Sequence, residues 1–377
     1  MGVQTPALFL AIALCVSGLL FASLELFAEK NTPPTGLITS SEAQITCALG
    51  TLAIPISYDN NGLPMITIYV GTPPQMVSVC LDTGSSDLLI KTPEKYSPAA
   101  SKSVGLASGR LCTRIIFGTQ ADHVCEYEDA LALVGRCVES AKDLRNEAVA
   151  SQLMVASVEY QKFSFLGSKR RERSEYSLAT IPQSNYDVFG LSMSHSEHMV
   201  PLIAQLNQVR SSEGDRSDGV FTFVFGEDSG ASPVAHLVIG RLADMVPRYS
   251  ALAAINDSDF YRVKLVSVFV GGVKIETAPD TAIIDSGSNY VFGSPVVVNE
   301  IRAAARATRG SMRIVFKGFE INVPHKVYMP SRNVFYVEQS SSPTDSLVVG
   351  TMFLRNVVAE FDARSHTVRM AHLSDMS

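Results

Sequence analysis

One pattern occurs twice in this chain of 377 residues, and the duplication constrains the fold more than any other feature. Val79-Cys80-Leu81-Asp82-Thr83-Gly84-Ser85-Ser86 has a counterpart in Ala282-Ile283-Ile284-Asp285-Ser286-Gly287-Ser288-Asn289. In each, an apolar run ends in Asp and is followed by a small hydroxyl residue, Gly and Ser. Each is followed, later in its own half, by two apolar residues and Gly: Val188-Phe189-Gly190 and Val348-Val349-Gly350. A short apolar run closed by Asp and Gly reads as a strand entering a tight turn. The chain also exceeds the size of about 250–300 residues at which a single core stops growing. Two similar lobes related by an approximate twofold axis are therefore expected, an arrangement that brings one Asp from each half into a pair.

A single Asp-Thr-Gly-Ser would fit an ordinary turn, its carboxylate accepting backbone N–H bonds and its Gly supplying an unusual φ. Two copies, one per half, point to chemistry instead. Carboxylates within hydrogen-bonding distance cannot both ionise comfortably, so they share a proton and titrate as a unit. One can then act as base toward a water while the other donates to a peptide carbonyl. In this reading Asp82 and Asp285 are the catalytic pair. Ser85 and Ser288 donate to the outer carboxylate oxygens, Thr83 and Ser286 tie the two loops together, and Gly84 and Gly287 allow close backbone approach.

The rest of the pattern is mainly β. Ile66 to Val70 and Met76 to Leu81 form a hairpin leading into Asp82, turned by Gly71-Thr72-Pro73-Pro74-Gln75. Further strands are predicted at Val220 to Phe225, His236 to Ile239, Tyr261 to Val270, Thr281 to Ile284, Met312 to Phe316 and Val334 to Val337. Helices are few: a turn or more within Ser140 to Ala148, one at Val200 to Val209 and one at Val296 to Ala307.

A composition of 46% hydrophobic and 18% charged residues suits a compact, turn-rich protein. The formal net charge of -6 excludes a general nucleic-acid binder, which needs a basic surface to displace counterions from phosphates. The basic run Lys169-Arg170-Arg171-Glu172-Arg173 is expected to be a solvated loop, with a processing site for a basic-specific protease as the sharper reading. Ala7 to Ala22 is almost continuously apolar, and the first 28 residues contain no Lys or Arg. This is read as a targeting segment, preferably a signal peptide cut near Ala22 or Ala28, otherwise an uncleaved anchor and the one route to a membrane.

Without Cys15, five cysteines remain, an odd number: Cys47, Cys80, Cys112, Cys125 and Cys137. Cys112 and Cys125 bracket a loop and are paired as a disulfide, worth about 3 kcal/mol. Cys80, on an apolar strand, is expected to be a buried free thiol. Asn256-Asp257-Ser258 is a glycosylation sequon. No Cys or His cluster resembles a metal site, the scattered His and Met residues read as surface or packing groups, and no cofactor is expected.

The chain resembles the two-lobed, pepsin-like aspartic proteases from about Ala53 to Met370. The resemblance is carried by Ile68 to Gln75 leading to Leu81-Asp82-Thr83-Gly84-Ser85-Ser86, by Ile283 to Ser288, and by Val348-Val349-Gly350 continuing through Phe353-Leu354-Arg355-Asn356 to Phe361-Asp362. Tyr261 to Gly272 also resembles the strand pair preceding the family's second aspartate. The resemblance implies a mainly β, two-lobed acid protease fold with pseudo-twofold symmetry and a cleft between lobes, here 51–243 and 244–377. It implies an aspartic endopeptidase acting on peptides or proteins as a monomer, in the secretory pathway, an extracellular space or an acidic vacuole. A non-catalytic protein-binding relative is the alternative.

Three departures from the family stand out. Leu89 replaces the usual Trp, and the chain has no Trp. The flap tyrosine is assigned to Tyr127, which keeps a Tyr-x-Asp spacing to Asp129, in preference to Phe117-Gly118-Thr119. Between the targeting segment and the first resemblance, Lys30 is the lone basic residue of 29–50, so activation is expected without a conventional zymogen step.

Overall fold

The structure, a computed structural model, describes residues 51–92, 94–106, 113–117, 120–145, 155–173, 187–192, 201–211, 219–226, 235–255, 260–332, 334–340 and 345–376. The targeting segment, residues 29–50, Cys112 and Asn256 lie outside them. The first part of the chain supplies β1 (Thr51–Pro55), β2 (Ser57–Tyr58), β3 (Pro64–Val70), β4 (Gln75–Asp82), β5 (Leu88–Lys91), β6 (Gly105–Leu106), β7 (Thr113–Phe117), β8 (Gln120–Val138), β9 (Val155–Arg173), β10 (Asp187–Gly190), β11 (Val220–Phe225) and β12 (His236–Ile239). The second supplies β13 (Ser250–Ala251), β14 (Arg262–Val270), β15 (Val273–Lys274), β16 (Thr281–Ile284), β17 (Val291–Gly293), β18 (Met312–Phe316), β19 (Phe319–Val323), β20 (Val337–Gln339), β21 (Leu347–Val349), β22 (Val357–Asp362) and β23 (Thr367–His372).

Among the described residues these form a sheet of 15 strands and one of 8. The duplication seen in sequence reappears as topology. In the first sheet the path β3-β4-β10-β5-β9 carries Asp82 at the end of β4; in the second, β14-β16-β21-β17-β20 carries Asp285 just after β16. In each, the strand leading to Asp pairs in parallel with the later apolar-apolar-Gly strand, Gly190 opposite Asp82 and Val349 opposite Ile284. In each, that strand then pairs antiparallel with the one following the Asp loop, Val188 with Leu89 and Phe292 with Val348. The next pairing is parallel in both, β5 with β9 and β17 with β20. This mainly β, pseudo-symmetric plan is the pepsin-like two-lobed fold.

Side-chain alternation sets the register around the first Asp. On β3, Ile66, Ile68 and Val70 are buried while Thr67 is exposed; on β4, Val77, Val79 and Leu81 are buried between exposed Met76 and Ser78. A slip by one residue would turn this apolar set to solvent. The intervening turn joins the two strands as expected, with Val70 opposite Gln75.

The two halves are joined by strands buried on both faces. All six residues of β11 are buried, and β11 lies between β12 and β22, so the last strands of the chain return to the larger sheet. On one face Phe221 stacks on Phe361 with centroids 5.0 Å apart, and Tyr261 meets Phe361 edge-on at 4.8 Å. On the other face Ala53, Val138, Val224, Val238 and Val358 form a second apolar cluster with Leu242 and Met245. There Glu360, 1% exposed, accepts from Arg241 Nε at 3.0 Å and Arg369 Nη1 at 2.8 Å, so its buried charge is matched on both oxygens.

Helix Pro295–Thr308 places Val297, Val298, Ile301, Ala304 and Ala305 on its buried face, with Pro at its start and Arg309 in the left-handed region ending it. Helices Ala141–Arg145 and Leu202–Ser211 fall within one or two residues of their expected positions or inside them. Two expectations need correcting. The strand predicted at Val334 to Val337 instead begins at Val337, because Val337 is the residue that pairs with Val291, while Val334 makes only an isolated bridge to Ser331. The basic run is not a loop: Lys169 to Arg173 continues β9 alongside β8.

Candidate active site

The backbone at the end of each Asp strand is held from three sides. Leu191 N–H donates to Asp82 O at 2.8 Å and Ser192 N–H to Ser85 O at 2.8 Å, so the segment after β10 straps the first loop. In the second half, Asp285 N–H donates to Val349 O at 3.1 Å and Thr351 N–H to Ser288 O at 2.8 Å. Gly190 and Gly350 are needed for these straps. A Cβ on Gly190 would lie 2.5 Å from Asp87 N, and one on Gly350 would lie 2.5 Å from Ser288 O, closer than real Cβ atoms approach. The paired apolar-apolar-Gly signals in the sequence thus mark the supports of both loops.

The loops are then locked to each other reciprocally. Thr83 N–H donates to Ser286 Oγ at 3.0 Å, and Ser286 N–H donates to Thr83 Oγ1 at 2.9 Å. Thr83 Oγ1 donates to Ile284 O at 2.8 Å and Ser286 Oγ to Leu81 O at 2.9 Å. Both side chains are 0% exposed, so each hydroxyl is fully used as acceptor and donor in a dry junction. Replacing Ser286 by Ala would orphan Thr83 N–H, at about 1–3 kcal/mol for a buried group, and leave Leu81 O with the weak Cys80 Sγ donor. A lower urea midpoint for Ser286→Ala than for Ser85→Ala is expected, since Ser85 is only half-buried; equal midpoints would contradict the lock.

This junction places the two carboxylates side by side. Asp82 Oδ1 accepts Gly84 N–H at 2.7 Å and Oδ2 accepts Ser85 Oγ at 2.6 Å. Asp285 repeats this, with Gly287 N–H at 2.9 Å and Ser288 Oγ at 2.6 Å. The glycines face the opposite acid: a Cβ on Gly84 would lie 2.8 Å from Asp285 Oδ1, and one on Gly287 would lie 2.2 Å from Asp82 Oδ1. The fold thus brings Asp82, Thr83, Gly84 and Ser85 together with Asp285, Ser286, Gly287 and Ser288.

Both aspartates remain half-buried rather than sealed. Burial of the carboxyl group pushes Asp82 from 3.8 up to about 7, and the charge of Asp285 adds to the rise. The Ser85 and Gly84 hydrogen bonds work in the opposite direction. Cys80, two residues before Asp82 on β4, is a buried free thiol packed with Leu63 and Met65. Burial, followed by the charges of Asp82 and Asp285, raises its pKa well above the ordinary thiol value, so it stays a neutral packing group.

Sequence reasoning missed three supports. Thr351 Oγ1 donates to Gly62 O at 3.1 Å and Asn289 Nδ2 donates to Asn61 O at 3.1 Å, tying the second Asp loop to the turn before β3. Tyr261 OH donates to Leu191 O at 2.9 Å, reaching the first loop's strap from the second half. These are single polar contacts over long sequence separations and leave no local pattern to read.

Tyr127 is buried at 7% exposure within β8, where it pairs with Leu106 and Phe165. The hairpin turn of β7 and β8 instead lies between Phe117 and Gln120, which are cross-strand partners; residues 118 and 119 lie outside the described residues. Asp129 is also buried, accepting from Ser103 Oγ at 2.5 Å and from Tyr96 OH. Leu89 is 1% exposed in the core between Val188 and Leu166. Cys125 and Cys137 are both disulfide-bonded; the pairing of Cys125 with Cys112 rests on a residue outside the described ones. Among the described residues, no group of His, Cys, Asp or Glu is arranged to hold a metal, and no helix is long and apolar enough to cross a membrane.

A profile of the eukaryotic aspartyl proteases matches residues 65–116 and 153–373. Secreted aspartic protease 8 of Candida albicans, and the protein of the same name from its strain SC5314, are each 22% identical over 330 residues, covering 81% of this chain and 75% of the relative. With the profile spanning most of the chain and the duplicated Asp loops in place, the chain belongs to the eukaryotic aspartyl protease family.

Proposed function

We propose that the protein is an aspartic endopeptidase in which Asp82 and Asp285 hydrolyse peptide bonds with a water held between them. The observation that carries this reading is the reciprocal lock of Thr83 and Ser286, which holds two carboxylates on symmetric loops, each against the glycine of the other loop. The pair shares one proton. Its ionised member takes a proton from the water as the oxygen attacks the peptide carbonyl, and its protonated member gives a proton to the carbonyl oxygen. The resulting tetrahedral diol collapses when the C–N bond breaks: the protonated acid gives its proton to the nitrogen, which leaves as an amine, while the ionised acid takes the proton of one diol hydroxyl as that oxygen becomes the new carboxyl C=O, and the pair again holds one proton. Ser85 and Ser288 fix the outer oxygens so that the inner ones face the substrate.

In this reading the chain divides into lobes at 51–243 and 244–377, with the peptide lying extended between them. One chain supplies both acids, so a monomer suffices. The flap is assigned to the hairpin of β7 and β8, whose strands close at the pair Phe117 and Gln120, in place of Tyr127, because Tyr127 lies within the buried length of β8. A flap of this kind closes over substrate and excludes water. Secretion is supported by the apolar N-terminal segment and by the name of the Candida relatives.

The test is digestion of a denatured protein from acidic to neutral pH by the folded enzyme, with the product ends sequenced. Internal cuts, blocked by a pepstatin-type transition-state mimic, are expected. Folded protein that binds the denatured chain and cuts nothing would instead make it a binding member of the family.

A further inference from the structure

The strands around Asp285 have one closed face and one half-open face. Ile284, Val349, Val291 and Val337 form a cross-strand row on β16, β21, β17 and β20 that is fully buried. The neighbouring row, Ile283, Val348, Phe292 and Glu338, is half-buried throughout. Cross-strand partners share a face of a sheet, and so do residues two apart on one strand. Asp285, two residues past Ile283 and itself half-buried, therefore belongs to the half-open face. So does Tyr290, two residues before Phe292, whose ring stacks on Tyr336 with centroids 4.9 Å apart. Gly350 links the two positions: it follows Val349, whose carbonyl accepts Asp285 N–H, and a Cβ on it would lie 2.3 Å from Tyr290 O. Neighbouring strands are about 4.8 Å apart, so Tyr290, two strands over, stands about 10 Å from Asp285.

Three aromatic rings and one acid make up the outer part of this face. Phe292 lies 6.2 Å from Tyr290 and extends the tyrosine stack, and Glu338 is its cross-strand partner. Glu338 is close enough that its charge, after burial, raises the pKa of Tyr290. Among the described residues nothing donates a hydrogen bond to the Glu338 carboxylate, and burial lifts its pKa. Arg302, on helix Pro295–Thr308, offsets part of that rise through its charge, but its guanidinium lies over the Phe335 ring, 5.0 Å from the centroid, and forms no ion pair with Glu338. The first half has no such surface. Asp87 and Leu89, which follow Asp82 at the spacing by which Tyr290 and Phe292 follow Asp285, are 7% and 1% exposed. The half-open aromatic face thus borders the acid pair on one side.

We infer that Glu338 and the Tyr290–Tyr336 stack form a subsite for a Lys or Arg side chain of the substrate, so that the enzyme selects peptides with a basic residue a few positions from the scissile bond. The inference rests on the peptidase reading, with the peptide extended across Asp82 and Asp285. A basic side chain joins a long apolar stem to a charged head. Phe292 and Val348 offer the stem an apolar surface. The head gains from tyrosine ring faces within about 6 Å and from a carboxylate that has no donor of its own. A half-buried charge without a hydrogen-bonded partner is costly, and a bound cation removes that cost. An extended peptide advances about 3.3 Å per residue, so the distance of about 10 Å from Asp285 to Tyr290 corresponds to about three residues.

The experiment compares kcat/KM at pH 6 for matched peptides that carry Arg, its uncharged isostere citrulline, or Phe at each position on either side of the cleavage site. A preference of about tenfold for Arg over citrulline is expected at one position, about two to four residues from the cut. In Glu338→Gln, which keeps the shape of the side chain, the ratio should fall to about one. Tyr336→Leu should lower it by about two- to fivefold, the loss of one ring face. Glu320→Gln, on β19 at the opposite edge of the sheet, should keep it. The ratio is read rather than the rate, so partial loss of folded enzyme does not affect it. Equal cleavage of the Arg and citrulline peptides by the unaltered enzyme overturns the inference. So does a preference for Arg that survives Glu338→Gln, or a preference for Phe over Arg at the same position. No hydrolysis of any peptide overturns the peptidase reading, and this inference with it, which separates the two failures.

Discussion

Replacing Asp82 or Asp285 by Asn is expected to lower kcat/KM for a peptide substrate by at least about 10²–10⁴-fold while leaving the protein folded. The chemistry needs one proton on two carboxylates, and an amide in either position can neither take a proton from water nor give one to the carbonyl oxygen. The fold has little reason to respond as strongly. The loops are held by Thr83, Ser286 and the straps from Leu191 and Thr351, none of which bonds to the carboxylate oxygens. Asn preserves the size of the side chain, and one of its terminal atoms can still accept Gly84 N–H or Gly287 N–H. The double variant should be no less active than the single ones, because each acid is useless without the other. Residual activity within threefold of the unaltered enzyme in either single variant would remove that residue from the mechanism.

The second large effect concerns stability and has a definite sign. Asp82 is held at about 7 in the folded protein against 3.8 ordinarily. Below about pH 4 its carboxyl is protonated in folded and unfolded chains alike, and the raised pKa costs nothing. Between pH 4 and pH 7 the unfolded chain releases that proton while the folded chain keeps it, so stability falls as pH rises; above about pH 7 the loss levels off. At about 1.4 kcal/mol per pKa unit the full loss approaches 4 kcal/mol as an upper bound, reduced by the partial exposure of the site. In a chain of this size about 1 kcal/mol moves Tm by 2–4 °C. The Tm difference between Asp82→Asn and the unaltered protein should therefore grow in the variant's favour by about 5–10 °C from pH 4 to pH 8. Comparing the two pH values cancels any fixed cost of placing an amide opposite Gly84 N–H and Ser85 OH. A difference that is constant or shrinks with pH would mean the pair holds no such proton.

The pair was legible in sequence because its requirements are local. Asp, a hydroxyl residue, Gly and Ser must follow one another in a single turn, and Gly190 and Gly350 must sit where a strap crosses that turn. The strands beside them were legible for the same reason: alternation at Ile66, Ile68 and Val70 and at Val77, Val79 and Leu81 fixes a face without reference to the rest of the chain.

Which aromatic residue ends the β7–β8 hairpin was not legible, because that depends on register. Tyr127 and Phe117 are both aromatic residues in β-rich surroundings, and only the pairing of Phe117 with Gln120 shows which of them ends a hairpin. The basic run failed for a related reason. Five residues with four charges of one sign disfavour a strand by composition, yet Arg170 to Arg173 find backbone partners on β8, and pairing overrides propensity. Val334 erred in the other direction, an apolar β-branched residue whose strand begins three positions later, where Val337 meets Val291. The links from Tyr261 to Leu191 and from Thr351 to Gly62 could not be read at all, since each is one hydrogen bond between distant parts of the chain.

The pH dependence of kcat/KM, measured with the folded enzyme on a peptide free of Asp, Glu and His, tests the shared proton most directly. With Asp82 at about 7, the rate should be highest below pH 7 and fall tenfold per unit above it as the pair loses its proton. A rate that rises through pH 7, or folded enzyme that cuts no peptide between pH 3 and pH 8, would contradict the account.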